Sequence, residues 1–143
     1  MSDLHEIKGR LLSVGTPFYS VRGASTLSQV KDRPDGPLPQ AFVIVAEDMA
    51  QDNSRATGGV FQRLERDIAI VIVAEHLGDA DGADVQDPLE ALKDYVRRQL
   101  LGWQTSEMVD VITYVRGETM EAVDGCVWFA AYYSAPQYIE EAS

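Results

Sequence analysis

From Phe61 to Glu75 the chain keeps up one alternation, with Leu64, Ile68, Ile70, Ile72 and Ala74 on one parity and Arg63, Glu65 and Asp67, then Ala69, Val71 and Val73, on the other. Side chains of a strand point alternately to its two faces, so the first half has one wet face and the second half is covered on both. A strand of about 15 residues, against the usual five or six, projects beyond the body of a domain. The rest of the chain must therefore be arranged around a strand that is central at one end and reaches outward at the other.

The segments before it supply a helix and a strand. Leu4, Ile7, Leu11 and Val14 recur at three- and four-residue steps; this predicts an amphipathic helix with Ser2 as its N-cap and Gly15-Thr16-Pro17 as its end. Phe18 to Val30 reads either as a short strand around Tyr19 to Arg22 or as a short helix from Ser25. Pro34, Pro37 and Pro39 make a loop or an extended lead-in. Phe42 to Ala46, apolar throughout and rich in β-branched residues, predicts a central strand covered on both faces. Asp48 to Gly59 reads as a long exposed loop, with the Gly58-Gly59 pair giving it mobility.

After the long strand, His76 to Asp87 reads as a second, acidic loop. Asp87-Pro88 then suits the start of a helix, Leu89, Leu92, Val96 and Leu100 form its buried stripe, and Gly102 ends it with Trp103 folded back as an apolar lid. Strands are expected from Val109 to Arg116 and from about Val123 to Ser134, separated by a turn at Gly117-Glu118. Pro136 is expected to break the last strand and Glu140-Glu141 to fray. The expected fold class is α+β: one domain over residues 1–143, with exposed loops at about 48–60 and 76–87. Its sheet is four-stranded, mixed and mainly antiparallel, with helices packed on one face and the order α-β-β-α-β-β.

Charge excludes whole classes of partner. With 12 Lys plus Arg against 23 Asp plus Glu, the 143-residue chain carries −11, and no Lys or Arg lies between Arg66 and Lys93 or after Arg116. No basic stripe is left to neutralise nucleic-acid phosphates, and an anionic membrane surface would repel the chain. The longest strongly apolar run, Ile68 to Ala74, is strand-sized, and the first residues lack the layout of a secretory signal, so the expectation is a product made in the cytoplasm without a membrane span.

Catalytic and metal chemistry find little support. Cys126 is the single cysteine, so neither an internal disulfide nor a thiolate zinc cluster can form. Its parity within the last strand makes it a buried, inert thiol. His5 and His76 are the only histidines, and neither stands in a pattern with a nucleophile and an orienting acid. Arg55 with Gly58-Gly59 lacks the spacing of a phosphate-binding loop. Asp79, Asp81, Asp84 and Asp87 suggest a calcium loop, but counting from Asp79 puts Gly82 at the fourth position and Ala83 at the fifth, which does not fit the EF-hand template. Trp128, Phe129, Tyr132 and Tyr133 read as sheet core with an interface face. No catalytic, cofactor-binding or metal residue is assigned, and the chain is read as a non-enzyme with no cofactor.

One resemblance is specific enough to state. The strand from Phe61 to Val73, the acidic loop, the helix Pro88 to Leu101 running straight into Gly102-Trp103, then Tyr114-Val115-Arg116-Gly117 and Gly125-Cys126-Val127-Trp128-Phe129, resemble the tail-terminator proteins of long-tailed bacteriophages, including Mu-like phages. The likeness covers about residues 38 to 139 and rests on the order of elements. It implies a virion subunit, assembled in the host cytoplasm, that closes into a six-fold ring at the head-proximal end of the tail. The ring would cap the tail tube, stop its polymerisation and offer a surface to neck and head-completion proteins, while genomic DNA passes through its lumen unbound. Arg63 and Glu65 on the wet parity of the projecting strand, with Arg55 in the loop before it, are then assigned to subunit or tube contacts. Rival readings are a small α+β ligand-binding or regulatory module, or another neck or head-completion protein.

The misfit of the acidic loop to a calcium template has a direct test. A ligand that binds only the folded state raises the melting temperature by mass action. Millimolar calcium is expected to leave melting unchanged, and a saturable rise of several degrees in a calorimetric titration would restore the metal reading.

Overall fold

In the computed structural model the described residues are 3–27, 34–75, 83–123 and 125–141. The elements are α1 (Asp3–Leu11), β1 (Ser20–Arg22), α2 (Ala24–Leu27), β2 (Gln40–Ala50), β3 (Phe61–Glu75), α3 (Ala83–Leu100), β4 (Thr113–Val123) and β5 (Cys126–Glu140). They form an α+β fold on one mixed sheet in the order β1-β2-β3-β5-β4. Strand β3 is central, antiparallel to β2 on one side and to β5 on the other over its whole length, from Phe61 opposite Glu140 to Glu75 opposite Cys126.

The two parities of β3 organise two cores. Ile68, Ile70, Ile72 and Ala74 meet α1 and α3 through Ile7, Leu11, Leu89, Leu92, Val96 and Leu100. On the opposite face Phe42, Val71, Val73 and Cys126 are covered by Leu27 of α2, Leu38 and Trp128. The expected leucine stripe of α3 is buried at all four positions. Burying each such side chain fully is worth about 1.5–3 kcal/mol, and that holds the amphipathic helices to the sheet.

Several expectations are corrected. The sheet has five strands, not four, because both readings of the segment after Phe18 are realised: β1 pairs parallel with Gln40–Phe42 of β2, and α2 follows it. Helices lie on both faces, since α2 packs opposite α1 and α3. Strand β2 runs on to Ala50, its first four residues buried and its last six exposed; the loop expected from residue 48 therefore begins at Gln51. Helix α3 starts at Ala83 and holds Pro88 inside it, so Asp87 is not its cap. Ser2 and residues 76–82 of the expected acidic loop lie outside the described residues.

Three sequence breakers are absorbed by strands. Gly117 and Glu118 lie within β4 rather than at a turn. The glycine is required by a close approach: a Cβ there would collide with Tyr114 Oη and come within 2.6 Å of Phe129 Cζ. Pro136 does not end β5, which continues to Glu140. The partner strand β4 stops opposite Ser134, so at Pro136 the far side of β5 is not paired by a strand, and only its carbonyl is used there, accepting from the Val109 amide at 3.0 Å; a residue without an N–H is tolerated at such a place. Nor does Glu140 fray, being paired with Phe61 of β3.

The first turn of α1 is pinned far along the chain. Asp3 is fully buried, and its carboxylate accepts hydrogen bonds from Thr105 Oγ1 at 2.5 Å and Gln137 Nε2 at 3.0 Å. Glu6 accepts from Ser106 Oγ at 2.7 Å. At the other end of α1, Arg10 donates to the Gln99 carbonyl at 2.9 Å and lies over the Trp103 ring. Trp103 packs against the core beside the end of α3, as expected of a lid.

Two substitutions test this packing. Leu92→Ala is expected to destabilise the fold by about 2–5 kcal/mol through lost transfer energy and a residual cavity. Gly117→Ala is expected to cost about 1–3 kcal/mol because the added methyl overpacks Tyr114 and Phe129. Urea denaturation read by tryptophan fluorescence measures both, and a neutral Gly117→Ala would show that the strand can shift there freely.

Candidate interaction surface

The outer parts of β2, β3 and β5 leave the two cores together and form a three-stranded end. Glu47 stands opposite Asp67 and Met49 opposite Glu65 across β2 and β3, while Arg63 stands opposite Tyr138 and Glu65 opposite Pro136 across β3 and β5. The strands persist there without a core because β3 is paired on both sides. Local contacts add to this: the Phe61 and Tyr138 rings lie 4.6 Å apart, and Arg66 donates to Asp48 at 2.9 Å. Met49, Tyr138 and Ile139 remain exposed.

The connection from β2 to β3 is closed by its own hydrogen bonds, which corrects the reading of residues 51–60 as a merely permissive loop. Asn53 Oδ1 accepts from the Phe61 and Arg55 amides, its Nδ2 donates to the Gly59 carbonyl, and Ser54 bonds the Phe61 carbonyl through both its amide and its hydroxyl. Gly58 and Gly59 take positive φ values of 70° and 95°, which a non-glycine residue rarely adopts.

All three residues singled out in the sequence lie at this end, each already engaged within the chain. Arg63 donates to Glu65 Oε1 at 2.6 Å, Glu65 Oε2 accepts from Ser134 Oγ at 3.0 Å, and Asp110 is 3.9 Å from the Arg63 guanidinium. The Glu65 carboxylate is the main cause that raises Arg63 above the ordinary guanidinium value. Both side chains are about 30% exposed (29% and 31%), so neither is simply wet. Arg55 lies over the Phe61 ring and pairs with Glu140. The carboxylate of Glu140 thus occupies the guanidinium that a phosphate would need. Sequence reasoning missed Glu140 and Ser134; their only signal would have been the register of β5 against β3.

Elsewhere, polar groups converge less. Burial pushes the Tyr133 phenol well above its ordinary range; its hydroxyl has no hydrogen-bond partner among the described residues, and its ring meets Tyr114 edge-on at 5.3 Å. Cys126 is buried, His5 is exposed on α1, and His76 lies outside the described residues. Among the described residues no group of three or more His, Cys, Asp or Glu could hold a metal, and no helix is long and apolar enough to cross a membrane. A cavity of about 370 Å³ between Pro17, Leu38, Pro39, Ala74, Glu75 and Leu92 has a mainly apolar lining, with Glu75 its one charged residue. It has the size of a small-ligand pocket but not its several convergent polar groups.

Comparisons with known proteins bear on this arrangement. No curated protein matches the chain. Among solved structures, a chain of a particle described as "Virion of native gene transfer agent (GTA) particle" shares the fold, with a TM-score of 0.51 and 17% sequence identity, over 99% of this chain and 87% of that one. A family model described as "Phage tail terminator protein" matches residues 1–142. The chain belongs to the phage tail terminator family.

Proposed function

We propose that this chain is a structural virion subunit, not an enzyme, that acts as one domain and closes into a six-fold ring on the head-proximal end of a tail tube. There it ends tube polymerisation and offers the joining surface for neck and head-completion proteins. The observation that carries the reading is the family match over nearly the whole chain, residues 1–142. The shared fold with a chain from a gene transfer agent virion supports a place in a particle. The paired, half-exposed end of the sheet supports a contact role, and we assign Arg55, Arg63 and Glu65 there to the tube or to a neighbouring subunit. A charge of −11 per subunit suits a lumen through which DNA slides without being held.

The apolar cavity at Pro17 and Leu38 favours the rival reading of a ligand-binding or regulatory module. The two separate on assembly. The tail-terminator role requires closed rings, alone at high concentration or beside tube protein, because head-to-tail contacts either close or make filaments. Light scattering with negative-stain imaging reads this directly, and a stable two-fold dimer with no ring beside assembled tubes would favour the module.

The contact residues have their own test. Exchanging Arg63→Glu with Glu65→Arg, and Arg55→Glu with Glu140→Arg, keeps each pair within the chain while inverting the polarity shown to a partner. Stability should fall by no more than about 1–2 kcal/mol, since each pair is kept although Arg63→Glu meets Asp110, while imaged tails assembled with the variant should lose their uniform length. Uniform tails with unchanged melting would remove these residues from the contact.

A further inference from the structure

The sheet ends in two unpaired edges of similar length. On one side β1 pairs with β2 only at Gln40–Phe42, leaving β2 without a strand neighbour from Val43 on and exposed from Val45 to Ala50. On the other side β4 is the last strand, and its residues 113–120 are all exposed. Neither stretch contains the Pro or Lys that commonly guard free edges, and each offers a row of backbone donors and acceptors.

We infer that the open half of β2 pairs with β4 of a second copy of this chain, joining neighbouring subunits of the ring into one continuous sheet. This rests on the ring reading above and adds the surfaces that close it. Direction supports the pairing: β2, β3, β5 and β4 alternate in sense across the sheet, so β2 and β4 run oppositely. A copy generated by rotation about an axis along the strands therefore brings its β2 antiparallel to β4, with the same face outward. A two-fold axis would instead set β4 against β4, or β2 against β2.

Register and charge agree with this. Within the subunit, pairing skips a residue between Val45 and Glu47 and another between Tyr114 and Arg116. With those two skips kept as bulges, we set Glu47 opposite Arg116, Val45 opposite Gly117 and Asp48 opposite Tyr114; the pairing then spans residues 113–119 of β4 and ends at Val43, with the rest of β4 diverging where β1 covers Gln40–Phe42. Glu47 and Arg116 project from the same face, because Glu47 stands opposite Asp67 and Arg116 opposite Tyr132, which itself stands opposite Ala69, two residues from Asp67. Facing pairs of opposite charge stabilise a sheet. Glu47 has no ion pair among the described residues, while Arg116 lies over the Tyr132 ring with a carboxylate of Glu118 at 3.6 Å. Val45, at 38% exposure, would lie beside Tyr114, whose ring already covers Gly117.

The test uses the full chain under conditions where the parent forms rings, alone or on tube protein. Glu47→Arg and Arg116→Glu, each folded by circular dichroism, should separately fail to close. An equimolar mixture should recover rings, because every interface of an alternating, even-numbered ring then pairs opposite charges. Rings from either variant alone, or failure of the mixture, would overturn the pairing while leaving the ring reading intact. Independently of the folding of those variants, Glu47→Cys combined with Arg116→Cys, oxidised after assembly, should give a ladder of covalent multimers, since the native Cys126 is buried. Rings that yield no ladder would also overturn it. If the parent forms no ring beside assembled tubes, the ring reading fails and the pairing with it.

Discussion

The full-length pairing of β3 with β5 is the contact on which the rest of the molecule depends. Along it, Glu75 to Ile68 lie between two layers of apolar side chains, whereas Asp67 to Phe61 continue outward, held mainly by their paired neighbours and by the bond of Gln137 to Asp3. One uninterrupted ladder thus serves two purposes. Its inner half seats α1 and α3 on one face and α2 on the other, and its outer half carries Arg63, Glu65, Tyr138 and Glu140 away from the body. A break in register near the middle would flip the inner side chains to the wrong face and so disturb core and contact surface together.

Polar groups complement this apolar frame by fixing parts that hydrophobic burial leaves free to slide. The Asp3 carboxylate, bonded to Thr105 and Gln137, sets the height of α1 against the sheet. Gln40 is likewise buried and donates to the Asp35 and Pro37 carbonyls, which shapes the proline-rich approach to β2. Hydrogen bonds of this kind contribute modestly when made but are costly to break one-sidedly, since the remaining buried partner is left unsatisfied. They therefore act more on geometry than on overall stability.

Much of the frame was legible in the sequence, and the reasons for the rest are specific. Periodicity marked β3 and the stripe of α3 because their burial repeats within a single element. Strand β1 carries no such signal: three residues are too few for a period, and its partner lies twenty positions on. Gly117 and Pro136 read as breakers because local punctuation does not reveal that one lies beneath Tyr114 and Phe129 and the other beyond the end of β4, with its carbonyl bonded to the Val109 amide. At the candidate surface, Arg63 and Glu65 are two apart on a strand, so their shared face could be read directly. The Arg55–Glu140 pair spans 85 positions and depends on the β3–β5 register, which no local pattern encodes.

The pin at Asp3 also bears on how the molecule comes into being. Its two partners, Thr105 and Gln137, are 102 and 134 positions downstream, and the central strand waits for β5, the last element to be made. On a ribosome α1 can dock on β2 and α3 before its polar pin forms, since Thr105 and Gln137 come later. A topology dominated by such distant partners folds slowly. During that interval the apolar run from Ile68 to Ala74 lacks its β5 neighbour, and a chain with so apolar a strand is open to pairing with another until β5 arrives.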